Sequence, residues 1–445
     1  MSSLNRQVLR LAIPNLLASI SVPLIGIADT AMIGHLPEVA YLGAVATAST
    51  IFDIMFWSAG FLRMGTTSLV AQYFGAGDRR SCIHTLYRAL FIALILALAL
   101  FLLRDLIAWA GFRLAGGSPE IQEWGKRYFE VRIYAVPLVM ALLALNGFFL
   151  GTANAMVPMY ITLVANLVNI GADYALIFGR WGAPEMGVVG AAWAAVLANV
   201  AALAVGGFFL CRKYGSYFRE SLDNLFDRGQ LALVFRTNFH LLGRTSCLLV
   251  AQFAMLAMVS RMGEVALGAN AIVWQIWALV SYGVDGFAFA AETLVGNRLG
   301  RRDFAAARAM ARRILLWGSI IGALFGVFYS FSLEVVARAF TSHLEVAQVI
   351  LSLKFLIACI QPLNGVVFIF DGIFIGANDM KYLFKAMALA LLGVFIPAAL
   401  ILVYWLDWGI QGAWLAYNCL MLGRFLTLLP RYRGDRWLRT FIARE

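Results

Sequence analysis

Twelve runs of apolar residues dominate this sequence, and most are long enough to cross a bilayer, which takes about 20 residues of helix. They fall approximately at 8–33, 42–72, 86–110, 129–152, 157–178 and 187–211, then at 236–260, 266–296, 309–331, 347–375, 383–405 and 409–430. Of the 445 residues, 62% are hydrophobic and only 13% charged, against about 25% charged in a soluble protein. A large extramembrane domain is excluded, and the expected class is an all-α polytopic membrane protein. In lipid every backbone polar group must be satisfied within the segment, so each run is read as a helix. The net charge of +11 sits in short stretches between apolar runs rather than on one soluble face, so nucleic acid is not the expected partner and the lipid bilayer is. The first run is too long for the apolar core of a signal peptide and is read as a membrane helix.

The short basic stretches alternate. Arg79/Arg80, Arg212/Lys213/Arg219/Arg228, the arginines from Arg298 to Arg313, Lys381/Lys385 and the tail from Arg431 to Arg444 fall on one side. The opposite loops hold little beyond Arg113, Lys126/Arg127, Arg180, Arg261 and Arg338. The positive-inside rule makes both termini and the 212–235 connector cytoplasmic. The expected domains are an N-lobe over 1–211, that connector, and a C-lobe over 236–445 with a basic tail.

The two sets of six are copies of each other. Gly-Phe-Phe-Leu-Gly-Thr-Ala-Asn at 147–154 returns as Gly-Ile-Phe-Ile-Gly-Ala-Asn-Asp at 372–379, a step of 372 − 147 = 225 residues. Pro137 and Pro362 keep that step, as do Asn146 and Asp371, and residues 68–78 match 293–303. With six spans per half, the halves enter the membrane from the same side, giving a parallel internal repeat. Repeats of this kind place a binding cavity between halves that rock to expose it alternately.

Charged side chains at membrane depth cost about 2.5 to 3.5 kcal/mol each even on forgiving scales, so those present need a reason. Asp29 follows Pro23 in the first span, and a proline allows a bend there. Asn166, Asn169 and Asp173 stand at i, i+3 and i+7 on the fifth span, one helical face. No basic residue in the apolar spans of the first half stands out as a partner for both acids. Asp285 and Glu292 on the eighth span, Asp371 on the tenth and Arg244 on the seventh form a second set, read either as a cavity wall that attracts cations or as salt bridges of Arg244 and Lys354. The repeat places Ala254, Leu391, Val394 and Ala398 opposite Asp29, Asn166, Asn169 and Asp173, so the Asp/Asn cluster belongs to the first half alone. That asymmetry points to a dedicated coupling site. Trp57, Trp193, Trp274, Trp277 and Tyr282 are read as packing and interface aromatics. Four isolated histidines and five scattered cysteines show no metal-ligand or disulfide spacing; neither metal nor cofactor is expected.

The chain resembles the multidrug and toxic compound extrusion (MATE) transporters, in particular their bacterial DNA-damage-inducible (DinF) branch. The resemblance rests on Ala-Asp-Thr-Ala-Met-Ile-Gly-His-Leu at 28–36, Phe-Leu-Arg-Met-Gly-Thr-Thr at 61–67, Val-Ala-Gln at 70–72 and Asp-Gly-Phe-Ala-Phe-Ala-Ala-Glu at 285–292, and extends over essentially the whole chain. It implies a monomeric antiporter of the bacterial inner membrane that expels amphipathic, often cationic, organic compounds in exchange for protons or sodium ions. It further implies that Asp29, Asn169 and Asp173 belong to the cation site of the first half. The family's usual fourth element, a Thr in the sixth span, is replaced here by Ala195, which removes an oxygen ligand and favours protons over sodium. The competing functions are a sodium-coupled antiporter, a flippase for lipid-linked intermediates or polysaccharides, whose cavity would be more cationic, and a membrane-embedded enzyme, for which the sequence offers no catalytic motif.

Overall fold

The computed structural model describes residues 3–220 and 222–440. Among these, twelve helices are long and apolar enough to span a membrane: Leu4–Ile33, Val39–Gly75, Arg79–Leu102, Pro119–Gly151, Met156–Phe178 and Gly187–Arg219, then Arg228–Met262, Glu264–Gly300, Phe304–Phe340, Lys354–Gly376, Met380–Trp405 and Gly409–Arg433. They are numbered below as the first to the twelfth span. The third ends earlier than the apolar run suggested: the helix stops at Leu102, and Arg104–Ala115 forms a separate short helix. The second span is broken by a turn around Ala59 and Gly60. The eleventh widens into π-helical turns at Leu391–Phe395 and Leu400–Trp405 on either side of Ile396–Ala399. Pro397 lies in that segment and lacks the N–H that an α-helix needs there.

The repeat is written into local geometry. The helices Val136–Gly151 and Gln361–Gly376 are both 16 residues long, with Pro137 and Pro362 at their second positions, where the missing N–H costs nothing. The turn that follows takes a left-handed residue at Ala153 and at Asn378. After the second and eighth spans the left-handed residues are Gly77 and Arg302, followed by Asp78 and Asp303. Each of these caps the next helix by accepting from a backbone N–H, of Ser81 and Ala306 respectively, at 3.0 Å. Gly147 and Gly372 have the same task. A Cβ on Gly147 would stand 2.6 Å from the Arg63 carbonyl, and one on Gly372 would stand 2.3 Å from that of Ala288, so the paired helices approach backbone to backbone.

The chain divides into two compact units, Met1–Leu16 with Phe235–Glu445, and Leu17–Val234. The expected N-lobe over 1–211 therefore loses its beginning, and the first span contributes to both units. Its early part packs within the first-named unit. There Trp317 Nε1 donates to Asn5 Oδ1 at 3.3 Å, Arg298 Nη2 donates to Gln7 Oε1 at 3.0 Å, and Gly286 gives the Ala12 carbonyl room that a Cβ at 2.7 Å would take. The connector is also shorter than 212–235, because helix continues to Tyr214 and resumes at Arg228. What remains is held to its own unit by Arg88, whose Nε donates to the Leu225 carbonyl at 2.7 Å, and by Arg80, whose Nη2 donates to that of Asp223 at 2.7 Å.

Candidate functional site: an acid cluster around Asp29 and Asp173

Within the unit Leu17–Val234, the first and fifth spans bring the Asp29 and Asp173 carboxyls within hydrogen-bond reach of each other. A carboxylate can only accept, so a hydrogen bond between two carboxyls requires a proton on one of them. Asp173 is fully buried and Asn169 nearly so. One helical turn apart on the same face, they join directly: Asn169 Nδ2 donates to Asp173 Oδ2 at 2.8 Å. Apart from the contact between the carboxyls, Asp29 Oδ1 and Asp173 Oδ1 meet no donor among the described residues. Two full negative charges about 4 Å apart repel by about 4 kcal/mol at an effective dielectric of 20. The arrangement therefore calls for one positive charge, a proton or a small cation, between the acids.

Asn166 takes a different place from its neighbours on the fifth span. Its Nδ2 donates to the Ser21 carbonyl at 3.2 Å, two residues before Pro23. The helix Ser3–Ile33 runs continuously past Pro23, whose ring denies the Ser19 carbonyl its helical donor. Asn166 thus holds the first span at its weakest turn, while Asn169 holds the acid.

Three polar residues of this cluster were not singled out from the sequence: Arg132, Asp53 and Tyr128. Arg132 lies on the fourth span, and its charge acts on Asp29, Asp53 and Asp173 together. This corrects the reading that no base in the first half serves both acids. Its guanidinium is held off direct pairing: Nη1 donates to Ser49 Oγ at 2.8 Å and to Tyr128 Oη at 2.9 Å, and the group lies 5.0 Å from the centre of the Phe52 ring. The signal was present, since Arg132 and Asp53 both fall inside apolar runs, where any charge is costly. Ala195 on the sixth span adds no side-chain oxygen, and its carbonyl already accepts from Asn199 Nδ2 at 2.8 Å.

The second set behaves otherwise. Within its own unit, Asp371 Oδ2 accepts from both Arg244 Nη2 and Arg424 Nη2, and all three side chains are buried. Of the two alternatives left open for Arg244, the structure forms the salt bridge. Arg424, in Leu-Met-Leu-Gly-Arg-Phe-Leu at 420–426, was missed although a lone arginine in a span is a legible signal. Glu292 is buried and Asp285 half-buried on the eighth span. Trp274 and Trp277 pack against Trp414 and Tyr417 with ring centres 5.1 to 5.7 Å apart, a core cluster.

Comparison with known proteins agrees with this architecture. The MatE family model matches residues 14–175 and 243–401, which include every residue of the acid cluster. DNA damage-inducible protein F of Escherichia coli (strain K12) is 32% identical over 437 residues, covering 97% of this chain and 93% of that protein. A probable multidrug resistance protein NorM of Bradyrhizobium diazoefficiens is 27% identical over 459 residues, covering 96% and 92%. Among solved structures, a MATE protein in the bent conformation superposes with a TM-score of 0.87 at 21% identity, covering 99% of this chain and 96% of that one, and the straight conformation does so with 0.84. A family model that matches most of the chain, a relative 32% identical over 97% of it and a shared fold lead to one conclusion: this chain is a multi-pass membrane protein of the MatE family.

Proposed function

We propose that the protein is a secondary active efflux antiporter that exports amphipathic, cationic organic compounds in exchange for protons, with Asp29 as the proton carrier. The contact between the Asp29 and Asp173 carboxyls carries this reading, because such a pair takes up and releases one positive charge as a unit. The likeness to a probable multidrug resistance protein NorM supports the drug-export part of it. Protons are favoured over sodium for two reasons. A hard cation needs several oxygen ligands to replace its water, and Ala195 supplies none from its side chain. Arg132 is also a tethered cation beside the same acids, so a metal ion entering there meets a positive charge already in place.

Coupling follows from one equilibrium. When the proton arrives, the pair falls from two negative charges to one, which the tethered Arg132 balances, and it loses its hold on a cationic substrate. The first span then rearranges at Pro23, near the turn whose Ser21 carbonyl accepts from Asn166, and substrate and proton exclude one another by linkage. The arginine-rich loops face the cytoplasm of a bacterial inner membrane, with both termini inside, by the charge bias of the loops.

The test is transport of a fluorescent organic cation by the purified protein in vesicles under imposed gradients. A proton gradient alone drives uptake, and a sodium gradient at fixed pH does not. Robust sodium-driven transport that survives collapse of the proton gradient would overturn the choice of ion. Pro23→Ala is expected to insert and fold normally while transporting several-fold more slowly; wild-type rates would remove the hinge from the mechanism.

A further inference from the structure

At the end of the third span away from Arg79, the unit Leu17–Val234 has a cavity of about 400 Å³ that the acid cluster does not use. Arg104, Asp105 and Trp109 of the short helix Arg104–Ala115 line one side, and Lys126, Glu130 and Tyr134 of the fourth span line the other. Arg104 and Asp105 approach each other at 3.6 Å, too far for a closed hydrogen bond. Among the described residues the mouth thus presents two cations, Arg104 and Lys126, and two carboxylates, Asp105 and Glu130, each at least partly open to solvent.

Its surroundings indicate what fills it. Leu106 and Trp109, at i and i+3 on one face of the short helix, are 58% and 56% exposed, and Leu102, at the end of the third span, is 72% exposed. Tyr134 is half exposed and stacks on Trp193 with the rings 6.4 Å apart and nearly parallel. Arg113 covers the Trp109 ring at 5.2 Å. The third span is 24 residues long, about 36 Å of helix, so this apolar face emerges at a membrane interface, where Trp, Tyr and snorkelling Arg or Lys belong. Acyl chains cover the leucines, and the charged mouth opens where the headgroup of such a lipid lies.

We propose that this cavity is a phospholipid headgroup site selective for zwitterionic headgroups bearing a primary ammonium. Arg104 and Lys126 hold the phosphate, and Asp105 and Glu130 accept from the ammonium. A purely anionic headgroup leaves two carboxylates unmatched and repelling it, and an organic cation meets two positive side chains. A choline headgroup matches the charges but has no N–H to donate, whereas an ammonium has three.

The experiment offers the full-length protein, purified in detergent, an equimolar mixture of phosphatidylethanolamine, phosphatidylcholine and phosphatidylglycerol, and counts retained lipids by native mass spectrometry. The wild type is expected to retain phosphatidylethanolamine over phosphatidylcholine by about tenfold, roughly one charge-assisted hydrogen bond. Asp105→Asn with Glu130→Gln is expected to bring the two within about twofold of each other, and Arg104→Gln with Lys126→Gln to lower both. These side chains line an open mouth, so an unchanged thermal midpoint verifies that each variant is folded. Equal retention of the three lipids by the wild type, preference for phosphatidylglycerol, or undiminished selectivity in the Asp105/Glu130 variant would overturn the proposal.

Discussion

Asp173 and Asp371 are both buried carboxylates on membrane-spanning helices, and the structure treats them in opposite ways. Asp173 faces a second acid and an amide, and Arg132, whose charge acts on it, is occupied by Ser49 and Tyr128. Asp371 has two guanidiniums on a single oxygen. The repeat sharpens the contrast, because neither cluster has a counterpart in the other half. Asp29, Asp53, Arg132 and Asp173 correspond to Ala254, Ala278, Ile357 and Ala398, while Arg244, Asp371 and Arg424 correspond to Ser19, Asn146 and Asn199. Two copies of one helical scaffold have thus received separate polar machinery. The first-half cluster is short of positive charge and suits an exchangeable ion, whereas the second-half triad is neutralised by its own side chains and suits a fixed tie among the seventh, tenth and twelfth spans.

The largest effect that would test this contrast is functional. Asp29→Asn is expected to reduce proton-driven efflux in vesicles to background while thermal stability stays within a few degrees of wild type, since an amide keeps the contact with Asp173 and cannot carry the proton. Wild-type efflux would return the coupling role to another residue. Asp371→Asn is expected to do the reverse. It leaves two buried arginines without their anion, a loss of about 3 to 5 kcal/mol, read as a lower unfolding midpoint and poor yield; a stable variant with abolished coupling would make the triad the ion site instead.

A smaller effect is expected at Arg132. Arg132→Gln removes the tethered cation and leaves room for an external one. Sodium at about tenfold over its dissociation constant should then stabilise the variant by about 1.4 kcal/mol and leave the wild type unchanged in the same thermal assay. Equal sodium responses would show that Arg132 does not decide the ion.

The smallest effect concerns repeat-equivalent turns outside the spans, where Asn154 Nδ2 donates to Tyr214 Oη at 3.4 Å and Asp379 Oδ2 accepts from Arg431 Nε at 2.8 Å. Burial pushes the Asp379 carboxyl above the usual carboxylate range, with Arg431 opposing it. Folding therefore favours the protonated form. The resulting stability is fully present below the unfolded-state carboxylate value and is lost as pH rises through the raised folded value. In Asp379→Asn this segment of the pH dependence of the unfolding midpoint should flatten; an unchanged slope would assign it to another group.

Much of the fold was legible because membrane spans announce themselves by length and hydropathy, and because the copies share glycines, prolines and capping acids at one spacing. Asp29, Asn169 and Asp173 were legible for a related reason: a charge in an apolar run is costly enough to require a purpose. Arg132, Asp53 and Arg424 carried the same signal and were still missed, because sequence position does not say which helices are neighbours. Nor does spacing alone reveal that Asn166 reaches the first span's backbone while Asn169, three residues on, reaches Asp173.

The all-helical, twelve-span class, the duplication and the confinement of the Asp/Asn cluster to one half can be read from residue order, since all three depend on local composition and periodicity. Which charges meet depends on how the helices pack. That packing set Asp29 against Asp173, gave Asp371 two arginines, turned Arg132 toward Ser49 and Tyr128, and divided the first span between two units at Leu16. These outcomes depend on pairing energies that fall steeply with distance, and distances between helices far apart in the chain are fixed only when the glycine-lined faces pack.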